Sequence, residues 1–181
     1  MRISKFEAAN LQLDRAIQLC FDDVDPISTH TLLGASSVLI YDLVEKLVPN
    51  SSWENHIQID NSISKTDYIR ETRKAQNFFK HADKDPLEVL EFDRNDTLHL
   101  LFITVSNCHI LLNHFDQNKL SDEQSIFELW YLARTPEIKQ INSTINIVTR
   151  KLFPGLDKLN LKEQLEAGKK ALFDMKNGNL K

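Results

Sequence analysis

Between Asp93 and Phe115 the chain places apolar side chains on nearly every side of a helical repeat: Leu98, Leu100, Leu101, Phe102, Ile103, Val105, Ile110, Leu111 and Leu112. A helix that is apolar almost all round has to be covered on all sides, by lipid or by other helices. No segment of the chain approaches the ~20 uninterrupted apolar residues of a membrane span. The nearest, Thr31 to Val48, carries Tyr41, Asp42, Glu45 and Lys46. Both stretches therefore read as buried helices, and 93–115 is expected to be the central element of an all-α bundle.

The flanking sequence supplies the surrounding helices. Phe6, Ala9, Leu13, Ile17, Cys20 and Val24 recur at three- and four-residue intervals and define a first helix, interrupted by Asp25-Pro26. A second is expected from an N-cap near Ser28 through Leu32, Ala35, Leu39, Leu43 and Leu47 to Pro49. Residues 50–62 are polar and read as a loop. Ser64 and Asp67 form a variant capping box for a third helix running to about Asp83, and Pro86 suits the first position of a short turn or helix. Asp93 can cap the central helix. Ser121 with Gln124 opens a fifth helix, Thr135-Pro136 a sixth, and Asn160 with Glu163 the last. The sixth carries Ile138, Ile141, Ile145, Val148 and Leu152 on one stripe and ends at Pro154-Gly155. With no repeat, linker or low-complexity tract, residues 1–181 read as a single helical domain, a bundle of six to seven helices.

Composition narrows the function classes. Four Gly and five Pro among 181 residues exclude a collagen-like or turn-rich β architecture, and a net charge of −4 excludes a strongly basic nucleic-acid binder. The charge is uneven. Residues 1–133 hold 12 basic and 21 acidic side chains, while 134–181 hold 10 and 5, so the basic third either attracts an anionic partner or docks on the acidic remainder. Met1-Arg2-Ile3-Ser4-Lys5-Phe6 has no apolar run behind its charges, so the expectation is a cytoplasmic protein without a membrane anchor. Cys20 and Cys108 both sit in apolar patterns and read as buried thiols.

The segment 70–83 is the most suggestive for chemistry. At 100° per residue Tyr68, Thr72, Ala75, Phe79 and Ala82 share one face, while Arg70, Lys74, Asn77 and His81 share the other, with Arg73 and Lys80 adding to its charge. A histidine beside fixed positive charge suits phosphodiester cleavage: imidazole moves a proton while Lys or Arg stabilises the phosphorane. The i,i+4 spacing of Asn77 and His81 lets both reach one group. The same pattern also describes a solvated amphipathic face. On the central helix, Asn95, His99, Ser106, His109 and Asn113 form a polar stripe, read as structural hydrogen-bonding groups rather than a site.

An Asn-Phe-Phe-Lys-His stretch closing the third helix of an all-α bundle resembles the HEPN superfamily, and the longer string Asn77 to Pro86 resembles a segment of bacterial proteins of unassigned function. Many HEPN proteins are metal-independent ribonucleases that act as dimers, joining two copies of an Arg-x4-6-His motif. The resemblance implies His81 as acid/base, Asn77 orienting phosphate, Lys74 or Arg73 stabilising charge, and a homodimer with RNA or protein as partner. The sequence departs from the motif at its arginine. Gln76 stands there in one register and Lys74 in the other, and neither supplies the planar guanidinium fork. The competing expectation is a non-catalytic dimeric interaction module. No metal is expected: Asp96-x-x-His99 has no second Glu-x-x-His partner, and two isolated cysteines make no zinc cluster. Phosphate-loop and dinucleotide glycine motifs are absent, so no nucleotide cofactor is expected.

Overall fold

The computed structural model describes residues 1–81, 83, 86–116, 119–135 and 143–180. Among these the fold is all-α, with no strand and nine helices: α1 (Lys5–Phe21), α2 (Pro26–Leu47), α3 (Trp53–Asp60), α4 (Lys65–Thr72), α5 (Lys74–Phe78), α6 (Arg94–His114), α7 (Asp122–Arg134), α8 (Ser143–Leu152) and α9 (Leu161–Lys176).

Local chemistry sets most boundaries. Ser4 and Glu7 make a full capping box on α1, and Asn160 with Glu163 makes another on α9. On α2 the cap is Asp25 rather than Ser28. Its carboxylate accepts from the backbone N–H of Ile27 and Ser28, and Pro26 takes the first helical position, where its missing N–H costs nothing. Asp93 caps α6 and Ser121 caps α7. Gln124 does not complete a box there; its amide donates instead to Asn10 Oδ1 and Asp14 Oδ1, tying α7 to α1. Gly155 takes φ +71° after α8, a conformation that needs no Cβ. The start assigned to the sixth helix at Thr135-Pro136, with Ile138 and Ile141, lies outside the described residues apart from Thr135, which closes α7.

Helices α1 and α2 form a hairpin, and α6 also packs on α2. Helix α7 lies against α1, α6, α8 and α9 and brings Phe127 and Trp130, both fully buried, into the centre. Trp130 donates its indole N–H to the Gln164 carbonyl at 2.6 Å, and its ring meets Phe21 edge-on at 5.4 Å. Helix α6 has the expected central place, burying Leu98, Leu101, Val105, Cys108 and Leu111. Helix α2 has the length and hydropathy of a membrane-crossing helix, yet its Leu33, Ile40 and Val44 are wholly buried in this core. Cys20 and Cys108 are buried free thiols, and Cys108 Sγ donates to Asn10 Oδ1 at 3.7 Å. Two lysines of the basic C-terminal third dock on acidic partners: Lys169 pairs with Asp22 at 2.9 Å, and Lys176 pairs with Glu123.

Two further expectations are corrected. Residues 53–60 are helical, not a loop. Helix α3 turns Glu54 and Gln58, one turn apart, into the interior, so it shows no apolar stripe to read. The third helix is also not continuous from Ser64 to Asp83. It breaks at Arg73 (φ −99°, ψ 2°), just after Thr72 bonds its hydroxyl to the Tyr68 carbonyl at 2.8 Å. Such back-bonding bends helices.

Candidate functional site

Helices α3, α4 and α5 form an excursion between the two long core helices α2 and α6. An aromatic cluster pins its far end. The buried ring of His30 on α2 lies edge-on to Phe79 (5.9 Å) and Phe92 (5.1 Å), and those two rings are 5.4 Å apart. The end of α5 and the segment entering α6 are thus tied to the same point of α2.

Beyond α5 the backbone N–H of His81 still donates to the Asn77 carbonyl at 3.0 Å, so the two residues share one closed turn although the helix ends at Phe78. Their side chains, with Arg70, Lys74 and Phe78, line an open cleft of about 490 Å³. Three of the four residues singled out from the sequence are therefore brought together: Lys74, Asn77 and His81. Asp83 and Glu88 line the same cleft, with the Asp83 carboxylate 3.8 Å from His81 Nδ1. Arg70 is held by Asp67 (2.9 Å) and Glu71 (3.2 Å). Among the described residues lining the cleft, the acids Asp83 and Glu88 equal Arg70 and Lys74 in number.

Arg73, the fourth residue, is separated from this group. It sits at the break and lines a small cavity of about 30 Å³, room for about one water. Glu54, Gln58, Tyr68 and Gln76 line it as well. Of the two positions in register with the HEPN motif's arginine, Gln76 is buried against α2 and does not line the cleft, whereas Lys74 does. The Glu54 carboxylate accepts from Asn107 Nδ2 at 2.7 Å, while Asn107 Oδ1 accepts from the Trp53 N–H at 2.9 Å. Burial pushes the Glu54 carboxyl above the ordinary range, against the lowering effect of the Asn107 hydrogen bond and the Arg73 charge. The Gln58 Nε2 amide faces no hydrogen-bond partner among the described residues.

On the other side of α4–α5 an open groove of about 650 Å³ runs between these helices and α6. The polar stripe of α6 divides here. Asn95 and His99 line the groove, and His99 Nδ1 pairs with the Tyr131 hydroxyl at 2.9 Å. His109 pairs with Glu128 at 2.9 Å, and Ser106 bonds the Phe102 carbonyl. Sequence reading missed Glu54, Gln58, Asn107 and His30 as interior polar groups. Only the i,i+4 pair Glu54/Gln58 carried a signal, and a polar pair is not what marks a buried helix face. Among the described residues no three His, Cys, Asp or Glu side chains converge as a metal-ligand set.

Comparison of the chain with models of protein families, with curated proteins and with solved structures finds no match.

Proposed function

We propose that this chain is a cytoplasmic, HEPN-like interaction module that acts as a homodimer and binds protein rather than cleaving RNA. The observation that carries the reading is the rim of the α5 cleft. Leu87 and Val89 are 92% and 88% exposed on either side of Glu88, beside a cleft whose described lining carries two acids and two cations. Exposed apolar side chains next to matched charges suit a protein surface, whereas an RNA backbone calls for a cationic one. The buried position of Gln76 supports the same reading, because in that register of the motif no side chain enters the cleft.

Light scattering of the purified chain tests this. A dimer is expected, converted to monomer by Leu87→Asp with Val89→Asp while helical content is unchanged. A wild-type monomer, or a dimer indifferent to both substitutions, overturns the reading.

The closed Asn77–His81 turn, with Lys74 beside it, favours a second reading as a metal-independent ribonuclease or an RNA-binding relative. RNA cleavage in excess chelator, lost in a folded His81→Ala variant, would establish it, with Lys74 in place of the missing arginine.

A further inference from the structure

We propose that the groove between α4–α5 and α6 is a binding site for a small organic cation with an aromatic body, of the arylalkylamine class. Its volume, about 650 Å³, lies within the range of sites that enclose small ligands. The groove is distinct from the cleft that carries His81, sharing with it Lys74 and Leu90 among the described residues.

Three features define the ligand. The first is an apolar surface made by Tyr68, Phe92, Leu100 and Ile103 from three different parts of the fold. Leu100 and Ile103 lie on the same side of α6 as Asp96, at i+4 and i+7, so this surface extends about 10 Å from the acid along the helix. That span matches a fused-ring body attached to a short chain. The second feature is charge. Among the described residues that line it, the groove holds the carboxylates Glu71, Glu91 and Asp96 against the ammonium of Lys74. Glu71 is already engaged by Arg70, which leaves Glu91 and Asp96, both exposed, at the end where the chain enters α6. These two carboxylates are the groups a ligand cation would pair with. The third feature is His30. Its Nδ1 is held 3.0 Å from the Thr97 hydroxyl, and its Nε2 is buried without a hydrogen-bond partner among the described residues. A ring that donates its Nδ1–H to Thr97 leaves the Nε2 lone pair as an acceptor, the group that an ammonium N–H seeks. Its neighbour Phe92 presents an aromatic ring at the same end, where a cation gains a further attraction.

The test uses three indoles of nearly equal shape: tryptamine (ammonium), tryptophol (neutral hydroxyl) and indole-3-acetate (carboxylate). Each is titrated into isotope-labelled full-length chain and followed by amide and histidine ring nitrogen shifts. Saturable tryptamine shifts are expected along 71–75 and 95–103 and at His30 Nε2, with weaker binding of tryptophol and none of the acid. Glu91→Gln and Asp96→Asn should each weaken tryptamine by about threefold to fivefold, as exposed charge pairs do. Both positions are exposed, so these variants remain informative even if a His30→Gln chain fails to fold. Equal binding of all three indoles, indifference to both acid substitutions, absence of saturation, or shifts confined to the Lys74–His81 cleft would each overturn the assignment.

Discussion

Gln76 of α5 lies directly on Gly34 of α2: a methyl group built on Gly34 would stand 2.8 Å from both Cγ and Cδ of Gln76. The absent side chain at 34 is what lets α5 approach α2 and holds Gln76 inside. Gly34→Ala should therefore displace Gln76 and destabilise the fold by about 1–2 kcal/mol, despite the better helix propensity of alanine. In the Gln76→Ala background the same substitution should be neutral or stabilising. Chemical denaturation of the four chains of this cycle measures the coupling. Additive effects would show that the two residues do not contact.

The buried position of Gln76 also bears on catalysis. Placing an arginine there by Gln76→Arg puts a charge where the fold buries an amide, so the expected result is lost stability without RNA cleavage. Cleavage gained by a folded Gln76→Arg chain would show that residue 76 can reach the cleft.

Asn107 joins α6 to α3 through both ends of its amide, accepting from Trp53 N–H and donating to Glu54. Asn107→Ala leaves a buried carboxylate and a backbone N–H unpaired, and should cost about 2–3 kcal/mol. Hydrogen exchange should then accelerate across α3 before the α2–α6 core. Uniform acceleration would place α3 within the global folding unit.

His30 gives the fold an acid sensitivity whose sign is fixed by burial, which lowers its pKa from 6.5 to about 4. Between these values the unfolded chain binds a proton that the folded chain does not. Stability from this group is full above pH 6.5, falls as pH drops toward 4, and is flat below; the whole change is about 3 kcal/mol. Glu54 works in the opposite sense, since its pKa is raised, and its cost is relieved as pH falls. The difference between wild type and His30→Leu, followed by thermal melting from pH 7 to 4, isolates the histidine. Parallel curves would mean that His30 titrates normally in the fold.

Gly168 of α9 lies against the Phe21 ring of α1. A Cβ there would lie 2.2 Å from Cε1 of the buried Phe21 ring. Gly168→Ala should destabilise by about 2–3 kcal/mol, the cost of overpacking a ring that has Trp130 and Phe127 on its other contacts. An unchanged melting temperature would show that α9 can shift without loss.

What the sequence determined by itself is the all-α class, the central place of α6, and the ends of helices whose signals are local. Asp93, Ser121, Asn160 with Glu163, and Gly155 each act within a few residues of themselves, so periodicity and capping chemistry locate them without knowledge of the fold. The two faces of 68–81 were legible for the same reason. Tyr68, Thr72, Ala75 and Phe79 are partly buried, and Arg70, Lys74, Asn77 and His81 are exposed, even though the helix breaks between them. Tertiary structure alone decided the polar interior. Glu54 and Asn107 are 53 residues apart, His30 and Thr97 are 67 apart, and Gln76 is buried because a glycine 42 positions earlier makes room for it. A polar side chain enters a core only when a partner or a gap waits there, and both are properties of packing that no local period encodes.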